Sequence, residues 1–158
     1  MSRTQRLASI LALWLMAAAV VAATELVLVN ADSKGVVLQG YDPVAYFTQN
    51  SAVKGDPQYK ATYEGGTYYF ASQANAKLFK EEPAQYAPQY GAYCALAVAM
   101  GKPEDSDPKQ FIIRNNKLLV QHNQKAHQMF MSNPDGFQQK ADQQWPGLVE
   151  KNGKPERL

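Results

Sequence analysis

The side chains best suited to chemistry in this chain are one cysteine, Cys94, and two histidines, His122 and His127. Cys94 precedes an apolar stretch that predicts a helix, whose dipole would favour a thiolate at that position. A nucleophilic cysteine also needs an adjacent base. The two histidines miss the i, i+4 spacing that brings side chains together on one helix face, and the sequence places neither beside Cys94. We therefore predict that the protein is not an enzyme, with a thiol-dependent redox protein as the last of the alternatives.

The same three residues leave a metal site open as an alternative. Thiolate and imidazole groups bind copper and zinc, and the thioethers of Met129 and Met131 would suit copper. The competing interpretation is that Cys94 is a buried packing residue, that the histidines lie on the surface and that the methionines are in the core. We therefore expect no cofactor, with copper or zinc bound by Cys94 together with His122 or His127 as the alternative.

Two irregular segments combine aromatic and polar groups and predict a ligand site. Loops held by a rigid scaffold commonly carry function, and a glycine lets the backbone approach a ligand closely. The opposing interpretation is that the tyrosines form the core of a small domain, because a buried tyrosine contributes a large apolar area. The candidate ligand-binding residues are Tyr41, Asp42, Tyr90, Gly91, Tyr93 and Cys94.

The N-terminus predicts a secretory signal peptide over residues 1–23. Arg3 and Arg6 precede an apolar run from Leu7 to Val21, and small residues lie before Thr24. The run is shorter than the roughly 20 residues that span a bilayer, so we expect cleavage and no stable membrane anchor. Without these two arginines, 14 basic residues remain against 14 acidic ones. A neutral chain gives no support to nucleic-acid binding, and we expect a periplasmic or secreted monomer.

The remaining chain predicts a small single domain of the α+β class, with short antiparallel β-hairpins packed against helices. One cysteine allows no intrachain disulfide, so the fold depends on packing, with Phe70, Phe79 and Trp145 as core anchors. Strand-forming runs on either side of Glu64-Gly65-Gly66 and of Asn115-Asn116 predict two hairpins. Capping residues and apolar spacing predict helices that begin after Asp42, Ser72 and Asn123, an apolar helix from Cys94 to Met100, and a last helix over 137–144 that ends at Trp145-Pro146. The expected parts are an N-terminal arm (24–35), the domain (36–148) and a disordered polar tail (149–158).

Several blocks of the domain together resemble the YHS-domain family. They are Gly40-Tyr41-Asp42-Pro43-Val44-Ala45-Tyr46-Phe47, Tyr68-Tyr69-Phe70-Ala71-Ser72-Gln73-Ala74-Asn75 and Phe79-Lys80-Glu81-Glu82-Pro83-Ala84-Gln85-Tyr86.

This resemblance implies a YHS-like α+β fold and, more narrowly, an exported bacterial branch. In metal-binding members, cysteines lie at the positions that match Ala45, Ala71 and Asn75, so we expect no metal there and predict that these positions are core. The predicted function is a non-catalytic exported domain that binds a small ligand or a protein partner in the cell envelope.

Overall fold

The two predicted hairpins form as expected. In the computed structural model, which describes residues 24–156, strand β2 (Asp56–Tyr63) pairs with β3 (Gly66–Phe70), and β4 (Asp107–Arg114) pairs with β5 (Lys117–Gln121). Asn115 and Asn116 have φ angles of 49° and 58°, as the primed turns of tight hairpins require. The predicted signal peptide lies outside the described residues.

Within residues 24–156 there are six α-helices and a third strand pair, which together confirm the α+β class. No helix in this range is long and apolar enough to cross a membrane. The helices are α1 (Pro43–Gln49), α2 (Gln73–Glu81), α3 (Pro83–Tyr86), α4 (Ala95–Ala99), α5 (Gln124–Ser132) and α6 (Pro134–Asn152), and the third pair is β1 (Leu26–Val27) with β6 (Lys154–Pro155).

Three of these helices begin with a side-chain N-cap at the residue that the sequence predicts. Asp42 accepts hydrogen bonds from the first turn of α1, which carries Pro43 at its first position. Ser72 accepts from the Asn75 N–H at the start of α2, and Asn123 caps α5 in the same way. Each cap satisfies backbone donors that have no partner inside the helix.

The C-terminal part of the chain differs from the prediction. Helix α6 does not end at Pro146 but continues to Asn152, so the predicted boundary at residue 149 falls inside a helix. The loss of one backbone hydrogen bond at Pro146 is offset by packing, because Leu148 beyond it is buried in the core. The strand pair β1–β6 then joins the predicted arm to the predicted tail, so the described part of that tail is ordered.

The core has two hydrophobic clusters with β5 between them. The first lies among α1, α2 and the β2–β3 hairpin, and the second among α4, α5 and α6. Leu118 and Val120 of β5 pack into the first cluster and Leu119 into the second, as expected for side chains that alternate across a strand. Of the predicted anchors, Phe70 and Phe79 are buried in the first cluster, whereas Trp145 is only half-buried against the second.

Buried tyrosines should make the fold sensitive to alkali. Burial raises the pKa of Tyr46 and of Tyr68 above its ordinary value. Above pH of about 10 the unfolded chain loses these phenolic protons and the folded chain keeps them, so folding stability is complete below that pH and declines above it.

We expect the free energy of unfolding, measured by denaturant titration, to fall between pH 8 and pH of about 11. Tyr68→Phe should reduce the slope. Ionisation of all tyrosines in a chain that is still fully folded would contradict this expectation.

Candidate functional site

Cys94 and His122 line one open cavity beside α4 and the start of α5. The cavity has a volume of about 260 Å³, and we call it the Cys94–His122 cavity. Its lining brings together side chains from α4, from the loop after α4 and from α5, among them Met100, Glu104, Lys125 and Met129. His127 lies on α5 outside this lining, so only one of the two alternative histidine partners shares a cavity with Cys94.

Cys94 forms the buried side of this cavity. Its side chain is 1% exposed, and its Sγ–H donates to Oε1 of Gln121 at 3.4 Å. The same amide oxygen accepts the N–H of Leu96 at 3.2 Å, so Gln121, itself fully buried, fixes the first turn of α4. An amide oxygen is not a base that can take the thiol proton. The contacts of Cys94 are therefore those of a packed thiol.

His122 is held with one ring nitrogen free. Its Nδ1 lies 2.9 Å from the carbonyl oxygen of Asp105. Because a carbonyl can only accept, Nδ1 must carry the proton and donate, and in the neutral ring Nε2 then keeps its lone pair. A backbone or carboxylate acceptor behind a histidine is the usual partner of a metal-binding imidazole.

Two methionines at the cavity are exposed rather than buried in the core. Met100, which ends α4, is 54% exposed and Met129 is 47% exposed. Met131, also on α5, is 46% exposed but lies outside the lining. The expectation of core methionines is therefore wrong. Among the residues of this region that the sequence did not single out are Met100, Glu104, Gln121 and Lys125, and no local pattern distinguishes them.

Asp42, a predicted ligand-binding residue, has all its acceptor positions occupied inside the protein. It is fully buried. Oδ1 accepts the N–H groups of Val44 at 2.8 Å and Ala45 at 3.3 Å. Oδ2 accepts the N–H of Ala71 at 2.8 Å and the side-chain Nδ2 of Asn75 at 2.7 Å. We call this group the Asp42 network; it ties the start of α1 to the start of α2.

The other predicted site residues divide between the two core clusters. Tyr41 packs against the first cluster, with the Lys54 ammonium 4.6 Å from its ring centroid. Tyr90 and Tyr93 pack with the second cluster, beside Cys94. The Tyr90 hydroxyl donates to Oδ1 of Asp142 at 2.7 Å, and burial, then this hydrogen bond, raises its pKa. Tyr41 and Tyr90 therefore belong to different parts of the domain.

The segment around Gly91 is covered by the N-terminal arm of the same chain. The Asn30 N–H donates to the Gly91 carbonyl at 2.8 Å, and the Tyr93 hydroxyl donates to the Val29 carbonyl at 3.4 Å. Gly91 has a φ of +56°, and a Cβ there would overlap the carbonyl oxygen of Leu28. The close approach that Gly91 permits is thus made to the chain's own backbone.

Gly91→Ala should detach the arm. The added methyl group cannot coexist with the Leu28 carbonyl, and a left-handed backbone costs a non-glycine residue roughly 1–2 kcal/mol. We expect amide hydrogen exchange at Asn30 to accelerate and the arm to become sensitive to protease. Gly147→Ala is the matched control, since a Cβ at Gly147 meets no atom within 4 Å. Unchanged protection of Asn30 in Gly91→Ala would contradict this prediction.

Cys94 should be unreactive while the protein is folded. Its thiol is buried and donates to Gln121, so a reagent reaches it only when the surrounding structure opens. We expect a disulfide reagent to label Cys94 slowly in native protein and rapidly in denaturant, over a range of pH. Rapid labelling of native protein would show an accessible, activated thiol.

Comparison with known protein families agrees with the fold. The family model described as "YHS domain" matches residues 44–90, from α1 to the turn that precedes Gly91. Residues 44–90 of this chain match a YHS domain. No curated protein and no solved structure gives a match to the chain.

The segment that matches the YHS model does not have the donors that the resemblance implies for metal-binding members of that family. Ala45 and Ala71 carry no donor atom, and the side-chain nitrogen of Asn75 is already used as a donor to Asp42. The three positions do converge, because all of them donate to the Asp42 carboxylate. Only Ala45 is core, however. Ala71 is exposed and Asn75 is half-buried, so the expectation that all three are core is wrong for two of them.

Proposed function

We propose that this YHS protein is a non-catalytic, monomeric binding domain of the cell envelope, and that the Cys94–His122 cavity is its binding site. The ligand would be a small molecule or ion, or a short segment of a partner protein. One observation carries the proposal: Cys94 and His122, distant in the sequence, line one open cavity with two exposed methionines.

The contacts within the cavity support binding rather than catalysis. The Cys94 thiol donates to a neutral amide, and the protonated nitrogen of His122 donates to a backbone carbonyl. Nucleophilic catalysis needs a base within hydrogen-bond reach of the thiol. A cavity that holds its cysteine and its histidine in separate hydrogen bonds is better suited to holding a ligand than to transferring a proton.

The two other candidate segments support the choice of this cavity. The Asp42 carboxylate accepts four protein donors, and the Gly91 segment is covered by the arm. A ligand at either place would have to displace hydrogen bonds that already exist. At the Cys94–His122 cavity it would instead cover the exposed side chains of Met100 and Met129, which is favourable.

Metal handling is the second candidate function. The cavity combines a thiol, an imidazole with a free lone pair and two thioethers, which are donors for soft metals. Both candidate functions assume that the protein is exported. The support for export is the order of basic, apolar and small residues in residues 1–23. The mass of the mature protein, beginning at or near Thr24, tests it.

The binding site can be tested with protein labelled at its methionine methyl groups for NMR. The probes are Cu(I), Zn(II), a set of small aromatic and carboxylate compounds, and short apolar peptides. We expect at least one probe to shift the Met100 and Met129 signals and not that of Met131. Met100→Trp should block the effect by filling the cavity, and Met131→Trp should not. If no probe moves the two signals, or if the Met129 signal still shifts in Met100→Trp, this cavity is not the binding site.

A further inference from the structure

We propose that the Cys94–His122 cavity binds one Cu(I) ion through the thioethers of Met100 and Met129 and through Nε2 of His122. This inference rests on the proposed function and names its ligand. It assigns the site to residues outside the segment that matches the YHS family model.

The first argument is the position of the two methionine residues. Met100 and Met129 come from different helices, yet both line the same cavity and both are about half exposed. Exposed methionines leave their apolar side chains in water, which costs free energy that a ligand can recover by covering them. Thioether sulfur is a soft donor that selects Cu(I) among the common biological metals.

The second argument is the tautomer and the orientation of the His122 ring. Its hydrogen bond to the Asp105 carbonyl places the ring proton on Nδ1. Nε2 is then available as a neutral donor without a change of tautomer, and the ring is oriented in advance. This arrangement of ligand and outer partner is the one that metal-binding histidines commonly show.

The third argument is charge. Glu104 and Lys125 also line the cavity and offset each other, so the remaining donors are neutral. A monocation held by neutral soft donors needs no further anionic ligand. Structural Zn(II) sites instead use several thiolate, imidazole and carboxylate groups, and no cluster of three or more such residues occurs within residues 24–156. The cavity therefore favours Cu(I) over Zn(II).

Cys94 is not one of the three proposed ligands. Its thiol is 1% exposed and donates to Gln121, so it packs behind the ion. This distinguishes the proposal from a thiolate site, in which Cys94 would be the strongest ligand.

The test is titration of the purified protein with Cu(I), under anaerobic and reducing conditions, in competition with a coloured chelator. We expect one ion per chain. The double variant Met100→Leu with Met129→Leu should weaken binding by more than about 100-fold, since even loss of an outer partner costs about 10–100-fold. His122→Gln should also weaken it strongly. The matched controls are Met131→Leu and His127→Gln, which change the same residue types on α5 outside the lining, and they should bind as the unmodified protein does.

Folded variants are needed for this comparison, and equal unfolding midpoints would establish that they are folded. Cys94→Ala should weaken binding less than His122→Gln does, because the Cys94 thiol is buried and packs behind the proposed ligands. The proposal is overturned if Cu(I) does not bind, or if the control variants lose as much affinity as the cavity variants. It is also overturned if Cys94→Ala loses as much Cu(I) affinity as His122→Gln. If Cu(I) does not bind while an organic probe still shifts the Met100 and Met129 signals, the cavity remains the binding site and only the assignment of Cu(I) as its ligand is wrong. If neither Cu(I) nor any other probe acts there, the proposed function fails as well.

Discussion

Asp42→Ala should lower the free energy of unfolding by about 3 kcal/mol or more. The substitution removes the N-cap of α1, which alone typically contributes about 1 kcal/mol. It also leaves the N–H group of Ala71 and the side-chain amide of Asn75 without their acceptor. A buried donor without a partner costs roughly 1–3 kcal/mol, so the total approaches a large part of the roughly 5–15 kcal/mol that stabilises a domain.

Asp32→Ala is the matched control for this prediction. Asp32 also accepts two backbone N–H groups, those of Lys34 and Val36, but it lies in an exposed turn where water can replace it. We expect a loss below about 1 kcal/mol there. Denaturant titration followed by circular dichroism measures both variants. If Asp42→Ala is as stable as Asp32→Ala, the Asp42 network does not hold α1 to α2.

Phe79→Ala should cost about 3–5 kcal/mol, the range for truncation of a buried aromatic residue. The side chain is 1% exposed, and its ring lies 4.9 Å from that of Tyr68 and 5.1 Å from that of Phe70, between centroids. Alanine would leave a cavity where α2 meets the β2–β3 hairpin. The midpoint of chemical unfolding should therefore fall sharply, with a native-like spectrum before the transition.

Leu78→Ala provides the control beside it on α2. Leu78 is 39% exposed, so its truncation removes little buried area and should cost much less than Phe79→Ala. Equal effects of the two substitutions would mean that the buried face of α2 is assigned incorrectly. The structure buries Ala76 and the predicted anchor Phe79 on that face.

Local rules account for what the sequence predicted correctly. The turn at Asn115-Asn116, the caps at Ser72 and Asn123 and the proline at the start of α1 each depend on residues within a few positions of one another. The pairing of β1 with β6 joins Leu26–Val27 to Lys154–Pro155, which no local pattern can indicate. The continuation of α6 through Pro146 depends in the same way on distant packing around Leu148.

In the candidate site, too, some features follow from local sequence and others depend on distant packing. Cys94 and His122 stand out by residue type, so the sequence could name them as alternatives for one metal. Their common cavity, and the place of Met100 in it, depend on how α4 packs beside α5. Gly91 was expected to let the backbone approach a ligand closely. In the structure the close approach is to the Leu28 backbone, and no local pattern around Leu28 indicates this contact.

The relation of this chain to its family also follows from these contacts. The positions that match the cysteines of metal-binding YHS proteins surround the Asp42 carboxylate, where three donors of this chain now point. A hydrogen-bonded network thus joins the start of α1 to the start of α2 at these positions. The donors suited to a soft metal lie instead at the Cys94–His122 cavity.

The most direct test of this account is to locate copper by anomalous X-ray scattering in crystals grown with Cu(I) under reducing conditions. The account predicts one peak in the Cys94–His122 cavity, next to Nε2 of His122 and the sulfur atoms of Met100 and Met129. A peak beside Asp42 and Asn75, or crystals with no copper in the cavity, would contradict it.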